Sequence, residues 1–259
     1  VAEAARWKTA WITGASSGIG RELALLLAKR GVRVAVSARR ADKLAELTAL
    51  DEKITAYPVD VTDRAAMAET ARRIGEALGP IDLAIFNAGV WHPMGSAEFN
   101  AEKNAESMAI NYTGVVNGLA ALMPDMVARG AGQIALISSV AGYRGFPRAA
   151  AYAPSKAAVT SLAEVLHPDL KPKGVHLSVV NPGFVETPMT SGNAFAMPWI
   201  IPPDDAARRI VRGLERRKFE IAFPWQLVLL LKFFRIMPYP VYFWAQRMYL
   251  DPAAPVKVK

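Results

Sequence analysis

The chain has 259 residues and no cysteine, which excludes a disulfide framework, a thiolate metal site and a cysteine nucleophile. The composition suits a reducing compartment, and the cytoplasm is the expected location. Its formal net charge is +8, but the basic residues are spread along the chain without a nucleic-acid motif, so nucleic acid is not an expected partner.

The start, VAEAARWKTAWITG, lacks the charged, apolar and small-residue order of a secretory signal and reads as folded protein. Short runs at 9–13, 32–37, 54–59, 81–86, 133–138 and 175–180 are apolar on both faces and predict strands. Between them, 18–30, 41–50, 63–78, 101–129 and 152–166 have helix periodicity and crossover length. The alternation predicts an α/β fold, a Rossmann-type doubly wound parallel sheet with helices on both faces in three layers. No linker divides the chain, so one domain is expected over 1–259. Within it, 181–202 is rich in Pro, Gly, Thr and Met and reads as a mobile substrate loop. A helix at 204–218, a short strand at 219–222 and an apolar, aromatic extension at 223–259 follow.

The first strand meets the first helix at TGASSGIG, with glycines at Gly14, Gly18 and Gly20. Glycine suits a turn that lies close against a pyrophosphate, and the helix start adds free N–H groups and a positive dipole end. A tight turn without a ligand is the alternative. At the end of the second strand, an acid would bind the ribose 2′-OH of NAD and repel a 2′-phosphate. The sequence there is VAVSARRADKL: Ala38 stands in the acid's place and Arg39 and Arg40 follow. Two guanidinium groups suit a phosphate, so NADP(H) is the expected cofactor; the alternative is that both arginines begin a solvated helix.

In YAPSK, Tyr152 and Lys156 are four residues apart in a segment that reads as helix, so a phenol and an ammonium share one face. The ammonium favours phenolate and fits tyrosine for acid/base work, whereas an exposed surface pair is the plain reading of the spacing alone. His92, His167 and His176 lie far apart without ligand-pair spacing, so no metal is expected.

The set as a whole resembles the short-chain dehydrogenase/reductase family of single-domain type. The residues that carry the resemblance are TGASSGIG at 13–20, Asp60 and Val61, NAG at 87–89, Asn111, Ser139, the Tyr152/Lys156 pair, and NPGFVET at 181–187. The resemblance implies that Tyr152 gives a proton to a substrate carbonyl while NADPH delivers hydride, the steps reversing for oxidation. Ser139 would hold the carbonyl oxygen, Tyr152 and Lys156 would both contact the cofactor, and Lys156 would lower the tyrosine pKa and bind the nicotinamide ribose. Asn111, through a helix irregularity and a water, would connect Lys156 to solvent. It further implies that Gly14, Ser16, Ser17, Gly18, Ile19 and Gly20 form the phosphate turn, and that Asp60 and Val61 border the adenine. Asn87, Ala88 and Gly89 would support the nicotinamide, and Pro182, Gly183, Val185 and Thr187 would fix its far side. Ser138 belongs by spacing to the strand end. Pro154 suits the first turn of its helix, and His167-Pro168 is expected to end that helix early. A homodimer or homotetramer pairing the helices at 101–129 and 152–166 is also implied.

The stretch IAFPWQLVLLLKFFRIMPYPVYFWAQRMYL at 221–250 crowds apolar and aromatic side chains around Lys232, Arg235, Arg247 and three prolines. Its longest clean run falls short of the roughly 20 residues of a membrane span. A pocket wall, a subunit interface and an interfacial anchor are all open, the last supported by the basic run from Arg208 to Lys218 just upstream. With Phe184, Met189, Phe195, Met197, Trp199 and Ile200 in the preceding loop, the stretch predicts an apolar substrate, lipid-like, steroid-like or bulky and aromatic. The activity expected is ketone/aldehyde and alcohol interconversion. A non-catalytic NADPH-binding sensor or scaffold, peripheral to a membrane, is the alternative.

Overall fold

The computed structural model describes residues 6–193 and 195–249. Of the expected domain, residues 1–5, where the folded start was read, and the end of the extension at 250–259 lie outside the described residues. In chain order the strands are β1 (Thr9–Thr13), β2 (Arg33–Ser37), β3 (Ile54–Ala56), β4 (Leu83–Phe86), β5 (Gly132–Ile137), β6 (Val175–Pro182) and β7 (Glu220–Phe223). The first six helices are α1 (Gly18–Lys29), α2 (Ala41–Thr48), α3 (Arg64–Leu78), α4 (Ala101–Met108), α5 (Gly114–Arg129) and α6 (Tyr152–Leu170). Three more follow β6: α7 (Pro203–Glu215), α8 (Trp225–Ile236) and α9 (Tyr239–Tyr249).

The strands form one parallel sheet in the order β3-β2-β1-β4-β5-β6-β7. Because side chains alternate along a strand, each strand feeds two cores. Ala10, Ile12, Val34, Val36, Leu83 and Ile85 pack with Leu23 and Leu27 of α1, Leu44 of α2 and Ile210 of α7. Trp11, Ala84, Phe86, Ile134 and Leu136 pack on the other side with Met67 of α3, Leu119 of α5 and Val159 of α6. Helices on both faces explain why the strand sequences are continuously apolar, and the three-layer expectation holds. Gly118 lets α5 come close to the sheet: a Cβ there would lie 2.2 Å from Phe86 Cε1.

β1 lies between β2 and β4, with Thr13 paired to both Ser37 and Phe86 at its carboxyl end. The chain leaves β1 toward β2 on one side and β4 lies on the other, so a crevice opens beyond these strand ends.

Three expectations need correction. The run at 54–59 forms a strand only to Ala56, because Pro58 has no N–H for the ladder, although Tyr57 and Val59 still donate to Val36 O and Ala38 O. The single helix expected at 101–129 is two, α4 and α5, joined by a π-turn at Ala109–Thr113. His167-Pro168 does not end its helix early: α6 runs to Leu170 with Pro168 inside it. Pro168 lies in the last turn and forfeits one backbone hydrogen bond there, and a 3-10 turn at Lys171–Lys173 follows.

Candidate active site

A cleft of about 450 Å³ lies over the carboxyl ends of β1, β2 and β4. It is lined by Gly14, Ser16, Ser17, Gly18 and Ile19 from the first turn, and by Ala38, Arg39 and Arg40 after β2. Asp60 and Val61, Asn87, Ala88 and Gly89, and Thr187 complete the predicted residues found in the lining. Val59, Val90, Ile110, Pro188 and Met189 also line it. Only Met189 among these five had drawn attention in the sequence, as an apolar loop residue.

The glycines of the first turn do different things. Gly14 has φ +67°, and a Cβ there would lie 2.6 Å from Ala88 Cα, so both conformation and space require glycine. Gly18, at φ +56°, lies under Thr187, whose Cγ2 would be 2.9 Å from an added Cβ. Gly20 is outside the lining and serves packing, since a Cβ would lie 2.5 Å from Gly14 O. Asn87 braces the turn: its Nδ2 donates to Thr13 O at 3.2 Å and Gly14 O at 3.0 Å, and its N–H donates to Thr13 Oγ1 at 3.1 Å.

At the β2 end, Arg39 and Arg40 are exposed and Ala38 is half-buried. Arg40 Nη2 donates to Ser16 Oγ at 2.9 Å, which brings its guanidinium over the glycine turn. Asp60 faces this region. The Thr62 backbone N–H at 2.9 Å holds its carboxyl below the usual range, with further help from the Thr62 hydroxyl and the Arg39 charge.

The residues expected to react stand beside the cleft. Tyr152 and Lys156 occupy the first two turns of α6, and Pro154 sits exposed in the first turn, where its missing N–H costs nothing. Lys156 is buried and its Nζ donates to Ile137 O at 2.8 Å. A Cβ on Gly89 would lie 3.5 Å from Lys156 Nζ and 3.2 Å from Asn111 Oδ1, so the ammonium and the amide both lie against that glycine of the cleft lining. The π-turn carries Asn111, fully buried; its Oδ1 accepts from Val90 N at 2.7 Å and its Nδ2 donates to Ser155 Oγ at 2.9 Å. Ser139 follows β5, with its Oγ accepting from Ala141 N at 3.1 Å, and its side chain hydrogen-bonds Tyr152. Neighbouring Ser138 is turned inward: its hydroxyl donates to Lys156 O at 2.7 Å, fixing β5 to α6.

Expectation and structure differ in the electrostatics. Burial pushes the Tyr152 phenol up to about 12, opposed by the hydrogen bond with Ser139. Lys156 does not draw it down, because the ammonium lies 5.6 Å from the centre of the phenol ring and is itself pushed down to about 8 by burial. One desolvated environment thus favours the neutral form of both groups.

Pro182 and Gly183 end or follow β6, outside the cleft lining. A Cβ on Gly183 would meet Leu227 Cδ2 at 2.8 Å, so this glycine admits α8. Val185 is buried and bridges to Ile201, closing the base of the loop.

Two further groups carry no sequence signal. The Trp91 ring meets Tyr152 edge-on at 5.1 Å, and its Nε1 donates to Asn193 Oδ1 at 3.0 Å, tying the loop to the phenol. Behind Ser139, the Tyr143 hydroxyl donates to Glu220 Oε1, Asn181 Nδ2 donates to the same oxygen at 3.1 Å, and Lys232 of α8 donates to Glu220 Oε2. Burial draws the Glu220 carboxyl upward, but hydrogen bonds from Lys232 and Tyr143 outweigh it and hold the group below its usual range. Glu220→Gln is expected to lower stability by about 1–3 kcal/mol in urea unfolding, because it weakens charged hydrogen bonds in a partly buried cluster. An unchanged midpoint would remove this network from the forces that seat α8.

α8 buries Leu227 and Leu231 against Val140 and Tyr143, just after Ser139, with Phe184 and Phe146 alongside. The extension therefore forms a wall against the segment just after Ser139. The upstream basic run does not adjoin this wall as a block: Arg208 and Arg209 pair with Asp204 and Asp205 at 2.7 and 2.8 Å. Arg217 lies at the amino ends of the strands with Arg6 and His176.

The model for short chain dehydrogenases matches residues 8–196. An uncharacterized oxidoreductase of Myxococcus xanthus is 38% identical over 243 residues, covering 91% of this chain and 95% of that protein. A short-chain dehydrogenase from Sphingobium yanoikuyae, solved in complex with NADPH, is 30% identical with a TM-score of 0.75, covering 83% of this chain and 87% of that one. A short-chain dehydrogenase from Streptomyces avermitilis shares the fold at a TM-score of 0.81 and 24% identity, covering 95% of this chain and 98% of that one. A family match across most of the chain, with a relative this similar over nearly its full length, makes the protein an oxidoreductase of the short-chain dehydrogenase/reductase family.

Proposed function

We propose that the protein interconverts a ketone or aldehyde and an alcohol with NADP(H), acting on an apolar substrate. The observation that carries this reading is the convergence of Ser139, Tyr152 and Lys156 beside a cleft whose far end has two arginines and Ala38 in the acid's place. The cleft residues fit a dinucleotide phosphate: Gly14 and Gly18 leave space that a Cβ would fill, and α1 begins at Gly18 with its first N–H groups toward the cleft mouth. The NADPH in the Sphingobium yanoikuyae neighbour supports the same cofactor here.

When bound, NADP(H) supplies or accepts the hydride. Tyr152 gives its proton to the carbonyl oxygen in reduction and takes it back in oxidation, and a phenol held up at about 12 is protonated and ready to donate at neutral pH. Ser139 donates a hydrogen bond to the same oxygen and stabilises the charge that develops there. Lys156, whose Nζ lies against Gly89 of the cleft lining, binds the nicotinamide ribose. Asn111 is a positioning residue that holds the Val90 segment against the Lys156 side of the cleft. Apolar selectivity comes from Leu227, Leu231 and Phe184 on one side and Met189 and Phe195 on the loop. A homodimer or homotetramer is the assembly this reading carries.

The test is NADPH oxidation followed spectrophotometrically with carbonyl compounds from small and polar to long-chain and polycyclic. Faster turnover of the large apolar compounds is expected. Faster turnover of small polar ketones overturns the substrate assignment, and NADPH binding without turnover of any carbonyl overturns the catalytic one.

A further inference from the structure

We propose that the outer face of α8 and α9 docks on the surface of an anionic lipid bilayer. On α8, Trp225, Leu229, Phe233 and Ile236 recur at helical spacing and are 69%, 64%, 55% and 77% exposed. The same helix buries Leu227 and Leu231 on its other side, so it is apolar inside and out. α9 adds Tyr239, Phe243 and Trp244, all exposed, with Tyr239 and Phe243 stacked at 5.7 Å. Ring contacts run from exposed Phe233 through half-buried Phe234 and buried Tyr242 to exposed Phe243, so the two helices are packed together beneath their exposed rings. Monomeric proteins in water rarely expose apolar surface on this scale without a use for it.

The charges around the face select the occupant. Lys232, Arg235 and Arg247 are on the two helices, and no acid is. Arg144 reaches over from the loop after Ser139, its guanidinium 4.9 Å from the Tyr239 ring and 3.9 Å from the Tyr242 ring. The carboxylates that face these cations are Glu220 on β7 and Glu164 on α6. Among the described residues, these four cations stand against two carboxylates, which are borne by β7 and α6 and not by the apolar helices. Trp and Tyr side chains, with an apolar body and a polar tip, suit the headgroup level, and basic side chains at the edge of an apolar helical face attract anionic lipid. A second copy docked face to face across a twofold axis would instead bring Lys232, Arg235 and Arg247 near their own equivalents. α8, with 12 residues, is too short to cross a bilayer, and no helix among the described residues is long and apolar enough to do so; the contact lies in the plane of the surface.

Docking would set the wall over Ser139 at the lipid, where an apolar substrate partitions. That consequence rests on the substrate reading above; the docking does not, and its test contains neither cofactor nor substrate.

Purified protein is sedimented at low salt with vesicles of phosphatidylcholine alone and of phosphatidylcholine mixed with phosphatidylserine. Wild type is expected to bind the mixed vesicles at least about tenfold more tightly, as two uncompensated cations near a charged surface allow. Leu229→Ser/Phe233→Ser is expected to lose about tenfold or more of that binding, with an unchanged oligomer by light scattering. Because this variant alters large side chains, tryptophan emission gives a second readout. It should shift to the blue when mixed vesicles are added to wild type, and the shift should shrink in Trp225→Phe/Trp244→Phe. Absence of both wild-type pelleting and the spectral shift overturns the proposal. Dissociation of an oligomer by Leu229→Ser/Phe233→Ser also overturns it, and assigns the face to a second copy.

Discussion

Tyr152→Phe is expected to lower the rate of carbonyl reduction by about a thousandfold, within the range that a positioned general acid contributes. NADPH affinity should stay within a few-fold of wild type, because the phenol lies beside the cleft and not in its lining. Stopped-flow turnover and a fluorescence titration of NADPH read the two effects separately. A variant that kept more than a tenth of wild-type turnover would take the acid/base role away from this residue. Wild type should also show a pH signature. Burial lowers the Lys156 pKa to about 8, so the ammonium is present below that pH and is lost as pH rises through it. Reduction needs the phenol proton and, to hold the cofactor ribose, the Lys156 ammonium, so kcat/KM for the carbonyl should be level on the acid side and fall above about 8. Tyr152, with a phenol pushed up to about 12, contributes no loss of its proton in that window. A profile that rose through this pH would place the needed form of Lys156 as the amine and overturn the assignment of its charge.

Arg39→Ala should cost about 10- to 100-fold in preference for NADPH over NADH, the range of one charged hydrogen bond to a phosphate. The substitution removes a cation from the exposed end of β2 and takes from Asp60 a positive neighbour, so a carboxylate would then face the site with less compensation. NADH binding should change little. Arg40 remains over the turn through Ser16, so some preference should persist and Arg39→Ala/Arg40→Ala should remove it. Paired titrations with the two cofactors decide the matter. Equal affinity of wild type for both would sink the assignment of the arginines to the 2′-phosphate.

The parts of the site that could be read from sequence are those that chemistry confines to short spacings. The glycine turn is local, and so is the i, i+4 relation of Tyr152 and Lys156; each stands where its spacing predicts. The sheet was legible for a similar reason, since strands covered on both faces must be apolar throughout. The π-turn was not legible in the periodicity of 101–129, where one extra residue per turn leaves no mark in composition; only the resemblance pointed to an irregularity at Asn111, where the turn lies. Glu220 and Tyr143 are 77 residues apart and meet only because β7 adds to the sheet beside β6. Trp91 lies in an irregular segment, where a side chain's partner follows no period. The tail was legible in composition but not in structure. Its prolines looked like interruptions, yet Pro224 and Pro238 directly precede α8 and α9 and Pro240 sits in the first turn of α9, positions that ask no N–H of them. The expected fall in the tyrosine pKa failed because burial, which sequence does not report, acts on both members of the pair.

The placement of α8 over Val140 and Tyr143 separates the molecule's inheritable parts along the chain. The cleft lining comes mostly from residues up to Ile110, with Thr187, Pro188 and Met189 added after β6; Asn111, Ser139, Tyr152 and Lys156 lie between, and α8 arrives last. A recombination joint after α7 would exchange β7, α8 and α9 and leave the cleft lining and those four residues intact. Diversification of such a chain can therefore proceed by replacement of whole helices after α7, while the cleft and the Tyr152/Lys156 pair upstream are copied unchanged.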